Sequence, residues 1–330
     1  VAGVVAGYEV MCRLGRALKP ADHYDRGFHP TATTGAFGAT VSAGRALGLS
    51  AEQLSMALGI CLSQASGSMQ FLVNSAWTKR FQVGNAAMVG VIAASLASQG
   101  FVGASEAIEG DCGFLRSYAP DPDPSLAIAG LREHWETLQI GVKPYPSCRF
   151  SHAAIDGIID IAAPGIEASK IAQINIGLPR KGMDLTALPQ AFRRKPNGVV
   201  GGQFSMHFTA AVAAQTGNLS WDDYDQYLTD PTTLDLAQRI DVQEDAEMDA
   251  IYPERMGGKV SIRLTDGSLE TRCVEIPKGE PENFPDAKAH RSKFISLTQP
   301  VLGEQAANLY QRLMTFSALE SVNELFPEVS

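Results

Sequence analysis

Motifs for handling nucleotides and metals are missing from these 330 residues. There is no G-x-G-x-x-G leading to an acidic ribose ligand and no G-x-x-x-x-G-K-[ST]. There is also no H-E-x-x-H, no G-x-S-x-G and no EF-hand-like acidic run. Dinucleotide, P-loop, zinc-protease and α/β-hydrolase chemistry therefore have no motif behind them. Cysteine is sparse: Cys12, Cys61, Cys112, Cys148 and Cys273 are scattered, odd in number and without a C-x-x-C pair. That excludes a disulfide framework and gives no zinc or iron–sulfur spacing, so a reducing, cytoplasmic setting is expected.

Basic charge is also in deficit. Lys and Arg number 27 against 36 Asp and Glu, for a net charge of −9. No extended Lys/Arg-rich run is present, so neither nucleic acid nor a basic membrane-surface role is expected. An acidic whole still permits an anionic ligand, because a few local cations set a pocket's potential. No stretch reads as long and apolar enough to span a bilayer. A starting Met is lacking too. Val4, Val5, Tyr8, Met11, Cys12 and Leu14 read as a helix entered partway along, which suggests a fragment or processed form.

What is present divides in two. The stretch 1–138 is rich in Ala, Gly, Ser and Leu and poor in β-branched alternation, so it reads as helical. Ser50 and Gln53 have capping-box spacing ahead of a helix carrying Leu54, Leu58, Cys61 and Leu62. A helix is expected over Gln82 to Ser98, stopped at Gly100. Three prolines make 118–124 a connector. Past residue 140 the pattern mixes periods. Ser151 is placed to cap a helix running to Ala163, Ile174, Ile176 and Leu178 alternate as a strand, and Gly202 to Gln215 reads as one helix. Val260, Ile262 and Leu264, then Asp266-Gly267, then Leu269 to Ile276 form a hairpin signal. The segment 278–286 reads as a linker before helical patterns over 301–316 and 318–325. The expected fold is mainly α with an inserted α+β domain: a helical domain 1–138, an α+β lid domain 139–287, and 288–330 returning to the helical domain.

Four polar stretches stand out. Gly27-Phe28-His29-Pro30-Thr31 places an imidazole and hydroxyls where a loop opens a helix, which suits a carboxylate, or else simply plugs a turn. Trp77-Thr78-Lys79-Arg80-Phe81-Gln82-Val83-Gly84-Asn85-Ala86 puts two cations before an apolar helix. A desolvated Lys there suits proton transfer or oxyanion stabilisation, but a pair of solvated cations is the commoner outcome. Lys143-Pro144-Tyr145-Pro146-Ser147-Cys148-Arg149-Phe150-Ser151-His152 gathers two cations, a tyrosine, a thiol and an imidazole in ten residues. Lys143 and Arg149 suit carboxylates, His152 suits proton transfer, and Cys148 reads as structural. Gly202-Gln203-Phe204-Ser205 offers Gln203 and Ser205 as ligand contacts, or marks a tight turn.

These four stretches, in this order over most of the chain, resemble the MmgE/PrpD family. The resemblance implies a mainly helical large domain with a smaller α+β lid, homodimers, and an active site between the domains. It implies catalytic roles for His29, Lys79, Lys143 and His152. Thr31, Arg80, Asn85, Tyr145, Arg149, Gln203 and Ser205 are then expected to bind substrate. The family's active site also uses an Asp and a His from a segment upstream of residue 1. Members include 2-methylcitrate dehydratases, cis-aconitate decarboxylases and iminodisuccinate epimerases. The implied activity is a lyase on a small di- or tricarboxylate, needing no metal or other cofactor. Loss of water is the first expectation, with epimerisation and decarboxylation as alternatives and an inactive fragment as the non-enzymatic one. All three reactions pass through or near a carbanion beside a carboxylate, which calls for a proton-transfer group and cations.

Overall fold

The computed structural model describes residues 1–319 and 321–325. The chain divides into two compact units, Val1–Ile140 and Gly141–Ser330. The first is helical: α1 (Ala2–Ala17), α2 (Pro20–Asp25), α3 (Pro30–Ala46), α4 (Ala51–Leu62), α5 (Phe71–Asn74), α6 (Thr78–Ser98), α7 (Phe114–Tyr118) and α8 (Ser125–Ile128).

Helix α3 runs through the middle of this unit, packed on α1 and α6. The reason for so much Ala and Gly is close backbone approach. A Cβ added at Gly38 would lie 2.7 Å from the Gly7 carbonyl oxygen, and one at Gly90 would lie 2.5 Å from the Ala39 carbonyl carbon. Only hydrogen fits at such crossings. Phe37, Phe114, Leu14, Leu18 and Cys61 fill the core between the crossings. The capping box is present: the Gln53 amide donates to Ser50 Oγ at 3.2 Å, and the Ser50 amide donates to Gln53 Oε1 at 3.0 Å.

Helix α6 departs from expectation twice. It starts at Thr78 rather than Gln82, so Lys79 and Arg80 belong to its first turn. It is also 21 residues long and apolar enough, by length and composition, to cross a membrane, contrary to the sequence reading. Its Ala86, Val89, Gly90, Ala93, Ala94 and Ala97 are buried against the unit, while Phe81, Met88 and Val91 are exposed.

The second unit adds a sheet. Its elements are α9 (His152–Ala162), β1 (Ile171–Leu178), α10 (Arg180–Thr186), α11 (Gln190–Arg194), α12 (Gly198–Gln203), α13 (Met206–Thr216), α14 (Asp223–Tyr227) and α15 (Pro231–Gln238). There follow β2 (Ile240–Glu244), α16 (Ala246–Ala250), β3 (Gly258–Leu264), β4 (Leu269–Val274), α17 (Ala287–Leu302) and α18 (Gln305–Met314). The strand order is β2-β1-β3-β4. Strands β1 and β2 run parallel with Ile176 opposite Val242, while β1 and β3 run antiparallel with Ile174 opposite Ile262. The expected hairpin is β3–β4, with Ser261 opposite Thr271. Ile155 and Ile158 of α9 and Phe208 of α13 bury against Ile174, Ile176 and Leu178. The protein is thus mainly α with one small mixed sheet, as the sequence pattern implied.

Three local readings are corrected, and one strand has no counterpart in the sequence reading. The single helix expected over 202–215 breaks before α13, because Ser205 Oγ accepts the Phe208 amide at 2.9 Å and starts a new helix. Ser151 stands at the start of α9, but its hydroxyl donates to the Cys148 carbonyl at 2.7 Å instead of capping. The helix expected over 301–316 is interrupted at Gly303, whose φ of +53° ends α17. The parallel edge strand β2 was not foreseen, since its apolar alternation is only Ile240 and Val242.

Candidate active site

In the first unit, the chain turns into α3 through His29, whose amide donates to the Gly67 carbonyl at 3.1 Å. The ring is buried, edge-on to Phe71 at 5.5 Å. Its Nδ1 lies 2.9 Å from Gln82 Oε1. The Gln82 amide nitrogen donates to the Ser68 carbonyl at 2.8 Å, which fixes which way the amide points. Oε1 can only accept, so Nδ1 carries the proton and Nε2 keeps a free lone pair. Burial, and then the nearby Lys79 ammonium, hold the imidazole below its ordinary pKa. His29 is therefore a neutral base with a fixed tautomer. Gln82 follows Lys79 by three residues and Asn85 follows Gln82 by three, so the three share one face of α6.

In the second unit, His152 opens α9 and is fully enclosed. Arg149 Nη1 lies 3.1 Å from its Nδ1. A guanidinium only donates, so Nδ1 accepts and Nε2 bears the proton. Nε2 is buried and has no hydrogen-bond partner among the described residues. Burial first, then the Arg149 and Lys143 charges, push the pKa down to about 3, with the Ser147 carbonyl opposing the shift and Lys293 adding to it. His152 is thus a neutral hydrogen-bond donor, the opposite of His29.

The cations around His152 differ in their freedom. Arg149 is committed: its Nε donates to Glu280 Oε1 at 2.9 Å and its Nη2 forms an ion pair with the same carboxylate. Lys143 remains exposed as a residue, yet its ammonium is crowded by protein and donates to the Ser147 carbonyl at 3.1 Å. Crowding, and to a smaller degree Arg149, lower its pKa, while Cys148 opposes them. Lys293 on α17 is lowered by burial and by Lys143. No carboxylate figures among the groups that shift either ammonium. Two ammoniums and a free N–H donor suit an anion. A cavity of about 140 Å³ beside Glu280 has the wrong sign for one, since Glu254, Glu275 and Glu282 line it as well, against the single cation Arg255.

The other expected residues are placed as follows. Tyr145 meets His152 edge-on at 5.4 Å, but its hydroxyl donates to Asp156 Oδ1 at 2.6 Å, and burial and that carboxylate raise its pKa. Asp156 also accepts the Lys278 amide at 2.6 Å, so the segment read as a linker is tied to α9. Ser205 is spent on capping α13 and on the Arg193 carbonyl. The Gln203 carbonyl accepts the Cys148 amide at 2.8 Å. Thr31 is exposed in the first turn of α3, Asn85 is half-buried, and Arg80 lies over the Trp77 ring at 5.0 Å. Gln82, Glu280, Asp156 and Lys293 were not singled out from the sequence. Helical spacing from Lys79 was a usable signal for Gln82; for the other three there was none.

Comparison with known proteins finds one family along the chain. The MmgE/PrpD N-terminal domain model matches residues 1–127, and the MmgE/PrpD C-terminal domain model matches residues 145–315. The chain is 28% identical over 305 residues to a cis-aconitate decarboxylase of Aspergillus terreus, covering 87% of this chain and 61% of that protein. A cis-aconitate decarboxylase of Aspergillus terreus (strain NIH 2624 / FGSC A1156) is 26% identical over 342 residues, covering 99% of this chain and 69% of that protein. The Homo sapiens cis-aconitate decarboxylase is 36% identical over 160 residues, covering 47% of this chain and 32% of that protein.

Proposed function

Because the chain belongs to the MmgE/PrpD family, we propose that it is a lyase acting on a small unsaturated or hydroxylated tricarboxylate. Decarboxylation of cis-aconitate is the first reaction to test. The observation that carries this reading is the pair of crowded ammoniums, Lys143 and Lys293, which make no ion pair among the described residues and lie near His152, whose Nε2–H is unused. The relatives named for that reaction support decarboxylation over the dehydration first expected.

In this reaction a C–C bond breaks, CO2 leaves, and the electron pair spreads onto the neighbouring carboxylate. A proton then adds to carbon. Lys143 and Lys293 hold the carboxylates and spread the developing charge, and His152 Nε2–H donates a hydrogen bond to it. The proton that adds to carbon comes from solvent in this scheme. Reaching Nε2 requires local opening, and α17, none of whose residues is fully buried, is suited to move. Dehydration stays as a second reading, favoured by the bare His29 Nε2, which suits abstraction of a carbon-bound proton.

Proton NMR in deuterated water separates the outcomes. Decarboxylation of cis-aconitate gives a shorter unsaturated acid carrying deuterium, with bicarbonate. Dehydration of a hydroxy acid gives a new alkene signal, and epimerisation gives α-deuterium exchange alone. If none of these appears with a panel of citrate-like and succinate-like acids, the lyase reading fails.

A further inference from the structure

Cys148 lies at the edge of the His152 constellation, and its thiol is close to two cations, Lys143 and Arg193. Arg193 ends α11, is buried, and makes no ion pair among the described residues. Its Nε donates to the Leu188 carbonyl at 3.1 Å and its guanidinium lies over the Phe192 ring at 5.5 Å. Beyond it lies His207 of α13, which is fully enclosed and has no hydrogen-bond partner on either ring nitrogen. The groups shifting His207 are burial, Arg194 and Arg193, all pushing its pKa down, to about 4. Buried charges are ordinarily paired, and buried polar atoms ordinarily bonded. Here a guanidinium without an ion pair among the described residues and an unbonded imidazole lie in one region, since Ser205, two residues before His207, donates to the Arg193 carbonyl, and Cys148 lies between Arg193 and Lys143.

We propose that Arg193 and His207 form a second carboxylate subsite, reached past Cys148 from Lys143. It rests on the proposed lyase reading and narrows it: the ligand carries a carboxylate remote from the one held by Lys143 and Lys293. The guanidinium offers two parallel N–H donors to that carboxylate, and neutral His207 offers one more. A monocarboxylate cannot fill both places.

The test measures binding by titration calorimetry of the whole protein with tricarballylate, glutarate and butyrate. The native protein is expected to bind tricarballylate most tightly and butyrate least. Arg193→Gln should weaken tricarballylate by about ten- to hundredfold, the scale of a charged hydrogen bond, and leave butyrate unchanged. Arg193→Lys should restore part of the loss. Lys143→Ala should weaken every acid. Should Arg193→Gln fail to fold, His207→Gln carries the same comparison, with a smaller loss expected. If Arg193→Gln changes all three acids equally, or none, the second subsite is wrong while the lyase reading stands. If the native protein binds none of the acids, both fall.

Discussion

The two units solve the same problem in opposite ways. Each holds a buried, neutral histidine at the start of a long helix, α3 in the first and α9 in the second. In the first, an amide oxygen from Gln82 takes the Nδ1 proton's hydrogen bond, leaving a lone pair on Nε2. In the second, a guanidinium from Arg149 gives a hydrogen bond to Nδ1, leaving a proton on Nε2. One ring becomes an acceptor and the other a donor. The partner of Nδ1 decides which, and residue type alone carries none of that information.

The largest expected effect tests this contrast directly. In the dehydration reading, His29→Gln removes the base and should lower kcat by roughly 10²–10⁴. His152→Ala removes a donor and should lower kcat/KM by about ten- to hundredfold. His152→Gln, which keeps an N–H, should recover part of that, whereas no glutamine rescues His29. Equal losses for both glutamine variants would collapse the distinction.

Acid stability gives a second way to separate the two. The folded pKa of His152, about 3, lies below its unfolded value near 6.5. Between these, the unfolded chain binds more protons, so stability is full above pH 6.5 and falls as pH drops toward 3, by on the order of a few kcal/mol. His152→Gln should flatten that loss in urea melts across the window. A native-like slope in the variant would remove His152 as its cause.

Packing offers a third contrast. Gly38→Ala forces a methyl against the Gly7 carbonyl and should cost about 1–3 kcal/mol, read as a lower melting temperature. At Gly15 of α1 an added Cβ meets nothing within 4 Å, so Gly15→Ala should be neutral or slightly stabilising. The smallest effect is electrostatic. Gln82→Glu places a carboxylate against His29 Nδ1 and, where neutral His29 abstracts a proton as in the dehydration reading, should raise the pH at which activity is lost on acidification by about one unit. No movement of that acid limb would argue that His29 does not titrate in the rate.

How much of this was legible in advance varies with the range of the interaction. The Ser50 capping box, the β3–β4 hairpin and the all-helical texture of the first unit rest on contacts within a few residues, and they were readable. The break before α13 was missed because Ser205 acts as a cap only once Arg193 accepts its hydroxyl, twelve residues back. Strand β2 was missed because its pairing with β1, about 65 residues away, makes it a strand more than its own two apolar positions do.

The same division holds for chemistry. The amino-acid sequence by itself determined which groups are available: His29, Lys79, Lys143, Arg149 and His152, in motifs whose order marks the family. Tertiary structure decided what each group is free to do. It spends Tyr145 on Asp156 and Arg149 on Glu280, and it brings Lys293 to Lys143 from 150 positions away. Availability is a property of side-chain type, whereas protonation, tautomer and free valence depend on neighbours that only the folded chain assembles.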